Sequence, residues 1–260
     1  MSAEPPYDEI AAYYDLEHRS FTDDVDLYLQ FIEAAGDPVV ELGCGTGRIL
    51  RGIAEAGYSA TGLDSSAPML DFARTALAAE GLIDGTTLIE GDFADSTLLP
   101  EAHFGVAIIG LDSLLHATTL EGQLAVLRAA LLALDPRGQL IIDVLHATPA
   151  RLMSMDGGIA FNGSWMMSDG ARLDKLVSQS IEAAEQLIHS EIWYDVTSAG
   201  GAVTRTRTGF TQRWIGSGEL LLMLQLAGFQ DWRVYGSYDL DPLDAHSDRL
   251  IVAAEKTRTD

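Results

Sequence analysis

Cysteine is nearly absent from this chain. Cys44 is the only one in 260 residues, which excludes an intramolecular disulfide framework and a cysteine-rich zinc module and fits a reducing compartment. Basic residues are also scarce: Lys and Arg number 16 against 39 Asp and Glu, a formal net charge of −23. Nucleic-acid binders cluster Lys and Arg against phosphates, so no nucleic-acid partner is expected. The acidic surplus either keeps the surface solvated or draws in cationic substrates. Long hydrophobic runs are missing too, and nothing approaches the roughly 18 apolar residues of a membrane span. Residues 1–8 are acidic and polar, with neither a positive nor an apolar signal-peptide region, so the expectation is a soluble cytoplasmic protein. The histidines His18, His103, His116, His146, His189 and His246 show no H-x-x-x-H or H-E-x-x-H spacing, and no metal site is expected.

What is present is ordinary globular material. Hydrophobic residues make up 47% and charged residues 21%, enough for one sizeable core. Residues 1–36 carry Ile10, Tyr13, Tyr14, Phe21, Val25, Tyr28, Leu29 and Ile32 at helical spacing, which predicts helix in two pieces. From Pro38 short apolar runs alternate with helical segments. Strands are expected at 39–42, 58–63, 87–90, 104–110 and 139–145, with helices at 46–56, 67–79 and 120–134 between them. That rhythm implies βαβ units and a parallel sheet with right-handed crossovers. Residues 161–214 break it with long strands at 175–182, 186–197 and 202–214, the last two joined by the turn residues Ser198-Ala199-Gly200-Gly201. Ile188, Ile192, Tyr194 and Val196 share one face, so this stretch reads as an antiparallel sheet inserted into one α/β domain. A helix at 217–227 and strands at 232–236 and 249–254 complete the chain. The expected division is a helical lid at 1–36, an α/β domain at 37–150 and 215–260, and an insertion at 151–214.

The segment richest in chemistry is Val39-Val40-Glu41-Leu42-Gly43-Cys44-Gly45-Thr46-Gly47, a buried strand running through three alternating glycines into a helix. Glycines there permit a tight turn and the close approach of a ligand. No Lys-Ser or Lys-Thr follows, so a phosphate-binding P-loop is disfavoured. Asp64 ends the second strand, 21 residues after Gly43, where a carboxylate can accept from both hydroxyls of a ribose. Asp92 follows the third strand in Glu90-Gly91-Asp92-Phe93, placed to receive an adenine amino group while Phe93 packs near the ring. Either acid could instead be a helix cap.

This pattern, an acidic strand ending in a glycine turn with acids after the next two strands, resembles the class I S-adenosylmethionine-dependent methyltransferases. The resemblance implies a Rossmann-like sheet of seven mostly parallel strands flanked by helices. It implies S-adenosylmethionine as cofactor and S-adenosylhomocysteine as product. Glu41, Gly43, Cys44, Gly45 and Gly47 would surround the methionine part, Cys44 through its backbone. Asp64, Ser65 and Met69 would hold or flank the ribose, and Asp92, Phe93 and Leu111 the rest of the nucleoside. The stretch Ile109-Gly110-Leu111-Asp112-Ser113-Leu114-Leu115-His116 is similar to that of glycine-type N-methyltransferases, except that Asp112 stands in place of an asparagine. The antiparallel insertion and Tyr13-Tyr14-Asp15 resemble the aminosugar N-methyltransferases, whose insertions form a substrate platform over the cofactor mouth.

Methyl transfer from a sulfonium is an in-line displacement, so positioning supplies most of the acceleration. His116, with an ordinary pKa of about 6.5, is the candidate base; a helix-start or core histidine is the alternative. Tyr14 could set its ring against the sulfonium or simply pack the N-terminal helix. Asp112 and Arg207 are the candidate substrate contacts, although Arg205 and Arg207 would equally form ordinary cross-strand pairs. The expected activity is methylation of a nitrogen, or oxygen, of a small molecule by a monomer or homodimer. The alternatives are a nicotinamide-dependent oxidoreductase, which would share the glycine turn and Asp64, and a catalytically inactive binding module.

Overall fold

The computed structural model describes residues 7–257, so residues 1–6 of the expected N-terminal lid lie outside the described part. Two helices open it, α1 (Ala11–His18) and α2 (Asp23–Ala35). Then β1 (Val39–Leu42), α3 (Arg48–Glu55), β2 (Ala60–Asp64), α4 (Ala67–Ala79), β3 (Thr86–Glu90) and β4 (Phe104–Ile109) follow in βαβ order. After α5 (Leu120–Ala133) comes β5 (Leu134–Leu145), and the chain ends with α7 (Ser217–Ala227), β10 (Asp231–Tyr235) and β11 (Arg249–Glu255). These seven strands form one sheet in the order β10-β11-β5-β4-β1-β2-β3. β11 runs antiparallel to both β5 and β10, and the other pairs are parallel. Between β5 and α7 lies a short helix α6 (Pro149–Met155) and a second, antiparallel sheet, β6 (Ala160–Met166), β7 (Arg172–Glu182), β8 (Leu187–Thr197) and β9 (Val203–Arg213), in that order.

The parallel strands are apolar on both faces because helices cover both. Val40 and Leu42 face α5 and α7 together with Ala107, Ile109, Ile142 and Val144. Val39 faces the other way, with Val106, Ile108 and Ile141, under Tyr28 and Ile32 of α2 and Ile49 and Ile53 of α3. α4 starts where Ser66 accepts from the Met69 N–H, with Pro68 in the first turn where a missing N–H costs nothing. Three elements depart from the pattern expected from sequence, one of them β6, which lies before the first strand expected in the insertion. β5 begins at Leu134 rather than Gln139, because its first residues pair with Phe104 through a bulge and carry Pro, Arg and Gly, which hide the strand signal. α6 was not anticipated; Thr148 caps it and Pro149 occupies its first turn. No helix among the described residues is long and apolar enough to cross a membrane.

The N-terminal helices are anchored by a buried ion pair. Arg48, in the first turn of α3, donates to both oxygens of Asp24 on α2, at 2.8 and 2.5 Å, and also to the Phe21 carbonyl at 2.7 Å. Asp24 is completely buried. Removing one member of such a pair strands the other charge away from water. Asp24→Ala is therefore expected to lower the unfolding free energy by about 3–5 kcal/mol. The double substitution Asp24→Leu with Arg48→Met should cost distinctly less than the sum of the two singles, as measured by denaturant unfolding.

Candidate active site

The carboxyl ends of β1, β2, β3 and β4 open on one edge of the sheet, the place where open α/β sheets bind ligands. A cavity of about 930 Å³ lies there. Gly43 and Gly45 line it, both with positive φ, at 85° and 52°. A side chain on Gly43 would come within 2.8 Å of Ser113 Oγ, so glycine is demanded there by space as well as by conformation. Asp64 closes the next side. Its Oδ2 accepts from the Gly45 N–H at 2.8 Å and its Oδ1 from the Ser66 N–H at 2.9 Å, leaving further lone pairs for a ligand. Burial pushes this carboxyl above its ordinary range, and the N–H groups of Ser66 and Gly45 oppose the shift. Ser65, Met69, Asp92, Phe93 and Leu111 also line the cavity. Asp92 uses Oδ1 to accept from the Ala94 N–H at 2.8 Å.

Three residues assigned to the cofactor from sequence do not reach this cavity. Gly47 begins α3 in the left-handed conformation, and a side chain there would meet Ala73 of α4 at 3.0 Å, so its role is helix packing. Cys44 turns inward, its Sγ beside Gly62, and burial raises its thiol pKa, which makes it inert. Glu41 lies behind the turn on the α2–α3 side of the sheet. Burial raises its carboxyl pKa well above the ordinary range, and its Oε2 has no hydrogen-bond partner among the described residues.

The two candidate substrate contacts are also corrected. Asp112 lines no part of the cavity; it pairs with Arg249 at 3.0 Å and accepts from the Leu145 N–H at 2.6 Å. Arg249 binds Asp143 as well, at 2.6 Å, and Asp143 accepts from the Leu111 N–H and the Tyr238 hydroxyl. Leu111 and Asp112 both have positive φ, 43° and 68°, unusual for residues with side chains. This ion network therefore holds the turn that delivers Ser113 and His116. Arg207 is exposed on the outer face of β9 and pairs with Glu191, so it too lies away from the cavity.

Sequence reasoning missed much of the far wall. Tyr7, Asp8 and Glu9 line the cavity, as do Ser66 and Ser113 and residues 208–211 of β9. Asp8 accepts from the Ser66 hydroxyl at 2.6 Å, tying the N-terminal segment to the Asp64 side. The Tyr7 hydroxyl and the Gln212 amide both meet His116 Nε2, at 3.0 and 3.2 Å. An amide nitrogen only donates, so Nε2 accepts and the ring proton sits on Nδ1. The Tyr7 ring stacks on Phe210 at 5.5 Å, and His116 meets both rings edge-on. Tyr14 lines the cavity beside Gly45 and stacks on His18 at 4.2 Å. Burial lowers the His116 pKa to about 4, with Asp112 opposing. The imidazole is therefore neutral near pH 7 and a weaker base than its ordinary pKa implies. Among the described residues no group of three or more His, Cys, Asp and Glu could hold a metal ion.

A family profile described as "Methyltransferase domain" matches residues 39–138. The cypemycin N-terminal methyltransferase of a Streptomyces species is 30% identical over 221 residues, 85% of this chain and 84% of that protein. The CcbJ methyltransferase of Streptomyces caelestis has a similar structure, at 25% identity and TM-score 0.74 over 91% of this chain and 90% of that one. The fold is shared with the sugar N-methyltransferase KedS8 of Streptoalloteichus, at 18% identity and TM-score 0.76 over 99% and 95% of the two chains. The chain belongs to the class I S-adenosylmethionine-dependent methyltransferases, and this sets aside the nicotinamide alternative. The cavity fits that cofactor on its own terms. It combines side-chain-free backbone at Gly43 and Gly45, acceptors at Asp64 and Asp92, and no Lys or Arg among its described lining residues to oppose a sulfonium.

Two outcomes follow. Asp64→Ala should weaken S-adenosylhomocysteine binding by about ten- to a hundredfold in calorimetric titration, the size of hydrogen bonds to a charged group. Unchanged affinity would remove Asp64 from the cofactor site. For His116, the folded pKa of about 4 lies below the ordinary value, so the unfolded chain takes up the proton first. Its contribution to stability is complete above about pH 6.5 and is lost as pH falls toward 4, amounting to roughly 3 kcal/mol. In His116→Gln that part of the stability–pH slope should vanish.

Proposed function

We propose that this methyltransferase transfers the methyl group to the nitrogen of an amine on a small molecule. The observation that carries the reading is the charge of the cavity. Asp8 and Glu9 line it beside Tyr7, Tyr14 and Phe210, and no cationic side chain does so among the described residues. Carboxylates and ring faces receive an ammonium; an acceptor bearing a carboxylate or phosphate would find no cationic partner among the described lining residues. Two relatives point the same way, one named as an N-terminal methyltransferase and the other as a sugar N-methyltransferase.

The bound cofactor supplies an already activated methyl group. The protein's task is to orient the acceptor and exclude water. With the cofactor held at Gly43, Gly45 and Asp64, its sulfonium would offer the methyl group to a neutral acceptor nitrogen and keep the bonding pair, and the methylated amine would shed its proton once released to solvent. With its lone pair engaged by Tyr7 and Gln212 and its basicity reduced, His116 orients Tyr7 and the acceptor instead of storing that proton. The rings of Tyr7, Tyr14 and Phe210 shield a cationic centre, a contact worth roughly 0.5–2 kcal/mol per ring.

The test is a matched panel of amines, alcohols and carboxylic acids scored for methyl transfer by mass spectrometry. Amines should react with kcat/KM about tenfold or more above their hydroxyl counterparts. Between pH 6 and 9 the rate should rise as the acceptor itself deprotonates, with no inflection from His116, whose pKa of about 4 lies below that window. Preference for alcohols or acids would overturn the amine reading, and complete silence with bound cofactor would favour an inactive binding module.

A further inference from the structure

β9 carries a share of the cavity wall. The Phe210 ring stacks on Tyr7 and stands 5.1 Å from the His116 ring, and the Gln212 amide donates to His116 Nε2 at 3.2 Å. Yet β9 is the last strand of the second sheet, paired along its length with β8. That pairing fixes β9 within its own sheet; it does not fix the sheet against the α/β domain, where His116 stands. The chain crosses from one to the other after Arg213, the last residue of β9, on its way to α7.

Successive side chains of a strand point to opposite faces. Where Gln212 turns toward His116, Arg213 turns the other way, into the junction of α5 and α7. Arg213 is buried there, and Gln123 of α5 is completely so. Arg213 Nη1 donates to Gln123 Oε1 at 2.7 Å. Its Nη2 donates to Glu219 Oε1 of α7 at 2.5 Å and to Gln186 Oε1, in the turn between β7 and β8, at 2.7 Å. Gln123 returns a bond from Nε2 to the Arg213 carbonyl at 2.9 Å, and Gln186 donates to Glu219 Oε2 at 2.8 Å. Burial by itself would raise the Glu219 pKa, but the bonds from Arg213 and Gln186 outweigh it and lower it, so the carboxylate stays charged against the guanidinium.

We propose that Arg213 is a positioning residue for methyl transfer: it fixes the end of β9 to α5 and α7, and so sets Gln212 and Phe210 where they hold His116 and Tyr7 in place. The proposal rests on the reading of His116 and Tyr7 as the groups that orient the acceptor, and it holds for an amine or any other acceptor. Gln123 grips Arg213 by side chain and carbonyl together, so the backbone one residue from Gln212 is held. The residue before Gln123, Gly122, itself lines the cavity, which ties the grip to the same wall. A planar guanidinium in a fork of acceptors sets direction as well as distance, whereas apolar packing of a sheet on helices leaves room to slide. A buried charged network adds little net stability over apolar residues of the same size, which fits a role in register.

The experiment uses the full chain carrying Arg213→Lys, which keeps a charge for Glu219 but loses the fork. Its affinity for S-adenosylhomocysteine should be unchanged in calorimetric titration. The His116 pKa, followed by NMR with S-adenosylhomocysteine bound, should rise by about one unit or more from about 4 toward its ordinary value, as Gln212 and Phe210 uncover the ring. With the fastest acceptor of the panel, kcat should fall about tenfold. Gln212→Met should lower kcat to a similar extent, and the double variant no further, because both act through the same contact. Should Arg213→Lys fail to fold, Gln123→Met, which frees the Arg213 carbonyl and leaves Glu219 paired, takes the same measurements.

A folded Arg213→Lys protein whose His116 pKa matches the parent's overturns the proposal, and this readout needs no acceptor. Losses in kcat that multiply across Arg213→Lys and Gln212→Met overturn it as well, since the two residues would then act separately. His116→Gln tells the two readings apart. If it lowers kcat while Arg213→Lys does not, the positioning role of Arg213 fails alone; if it leaves kcat unchanged, the orienting role of His116 fails and the proposal with it.

Discussion

One carboxylate, that of Asp64, sets the geometry on which the cavity depends. It accepts from Gly45 at one oxygen and from Ser66 at the other, so a single side chain fixes the turn after β1 and the start of α4 relative to each other. Ser66 extends the chain of bonds: its hydroxyl accepts from Met69 to cap α4 and donates to Asp8, bringing in the N-terminal segment. Three stretches of sequence thus meet through one connected set of hydrogen bonds. Parallel pairing of β1 with β2 is what delivers both ends to the same edge, and a one-residue slip would send Asp64 to the opposite face.

A second constraint stands at the β4 end. Leu111 and Asp112 occupy the left-handed region, at a cost of order 1–3 kcal/mol each. The offset comes from Asp143 and Arg249. Burial by itself would lower the Arg249 pKa, yet Asp112 and Asp143 outweigh it and raise it, so the guanidinium stays charged between two acids. This explains why residue 112 is an acid here. An amide could accept from Leu145, but it could not neutralise Arg249. Asp112 therefore reaches the chemistry only through position, by fixing where Ser113 meets Gly43 and where His116 enters the cavity.

What the sequence made legible was local. The glycine turn, Asp64 and Asp92 follow one another along the parallel strands, and strand-end positions are fixed by the alternation of strands and helices. Gly43, Gly45, Ser65, Met69 and Leu111 were assigned through the family resemblance those positions support, and they line the cavity together with Phe93. The misplaced residues fail for a different reason. Arg249 lies 137 positions from Asp112, and no spacing rule predicts that contact. Glu41 and Cys44 sit on alternate positions of a strand and turn whose two sides are both covered, so sequence alone does not say which side reaches solvent. Tyr7 and Asp8 enter through tertiary packing of the N-terminal segment. The long strands of the insertion were legible from their alternation, but not which of them would be the edge beside the cavity.

The depressed basicity of His116 fits this electrostatic setting. Two unit charges about 5 Å apart repel by roughly 3 kcal/mol at an effective dielectric constant near 20. A protonated imidazole among Tyr7, Phe210 and Gln212 would impose a penalty of that order on a cavity that admits a sulfonium. Burial by the two aromatic rings removes that charge at neutral pH, while the hydroxyl of Tyr7 keeps the imidazole aligned. The described lining holds no Lys or Arg, and three buried or half-buried arginines elsewhere are each paired with acids: Arg48 with Asp24, Arg213 with Glu219, Arg249 with Asp112 and Asp143. The described lining therefore brings no positive charge of its own to the place where the sulfonium sits.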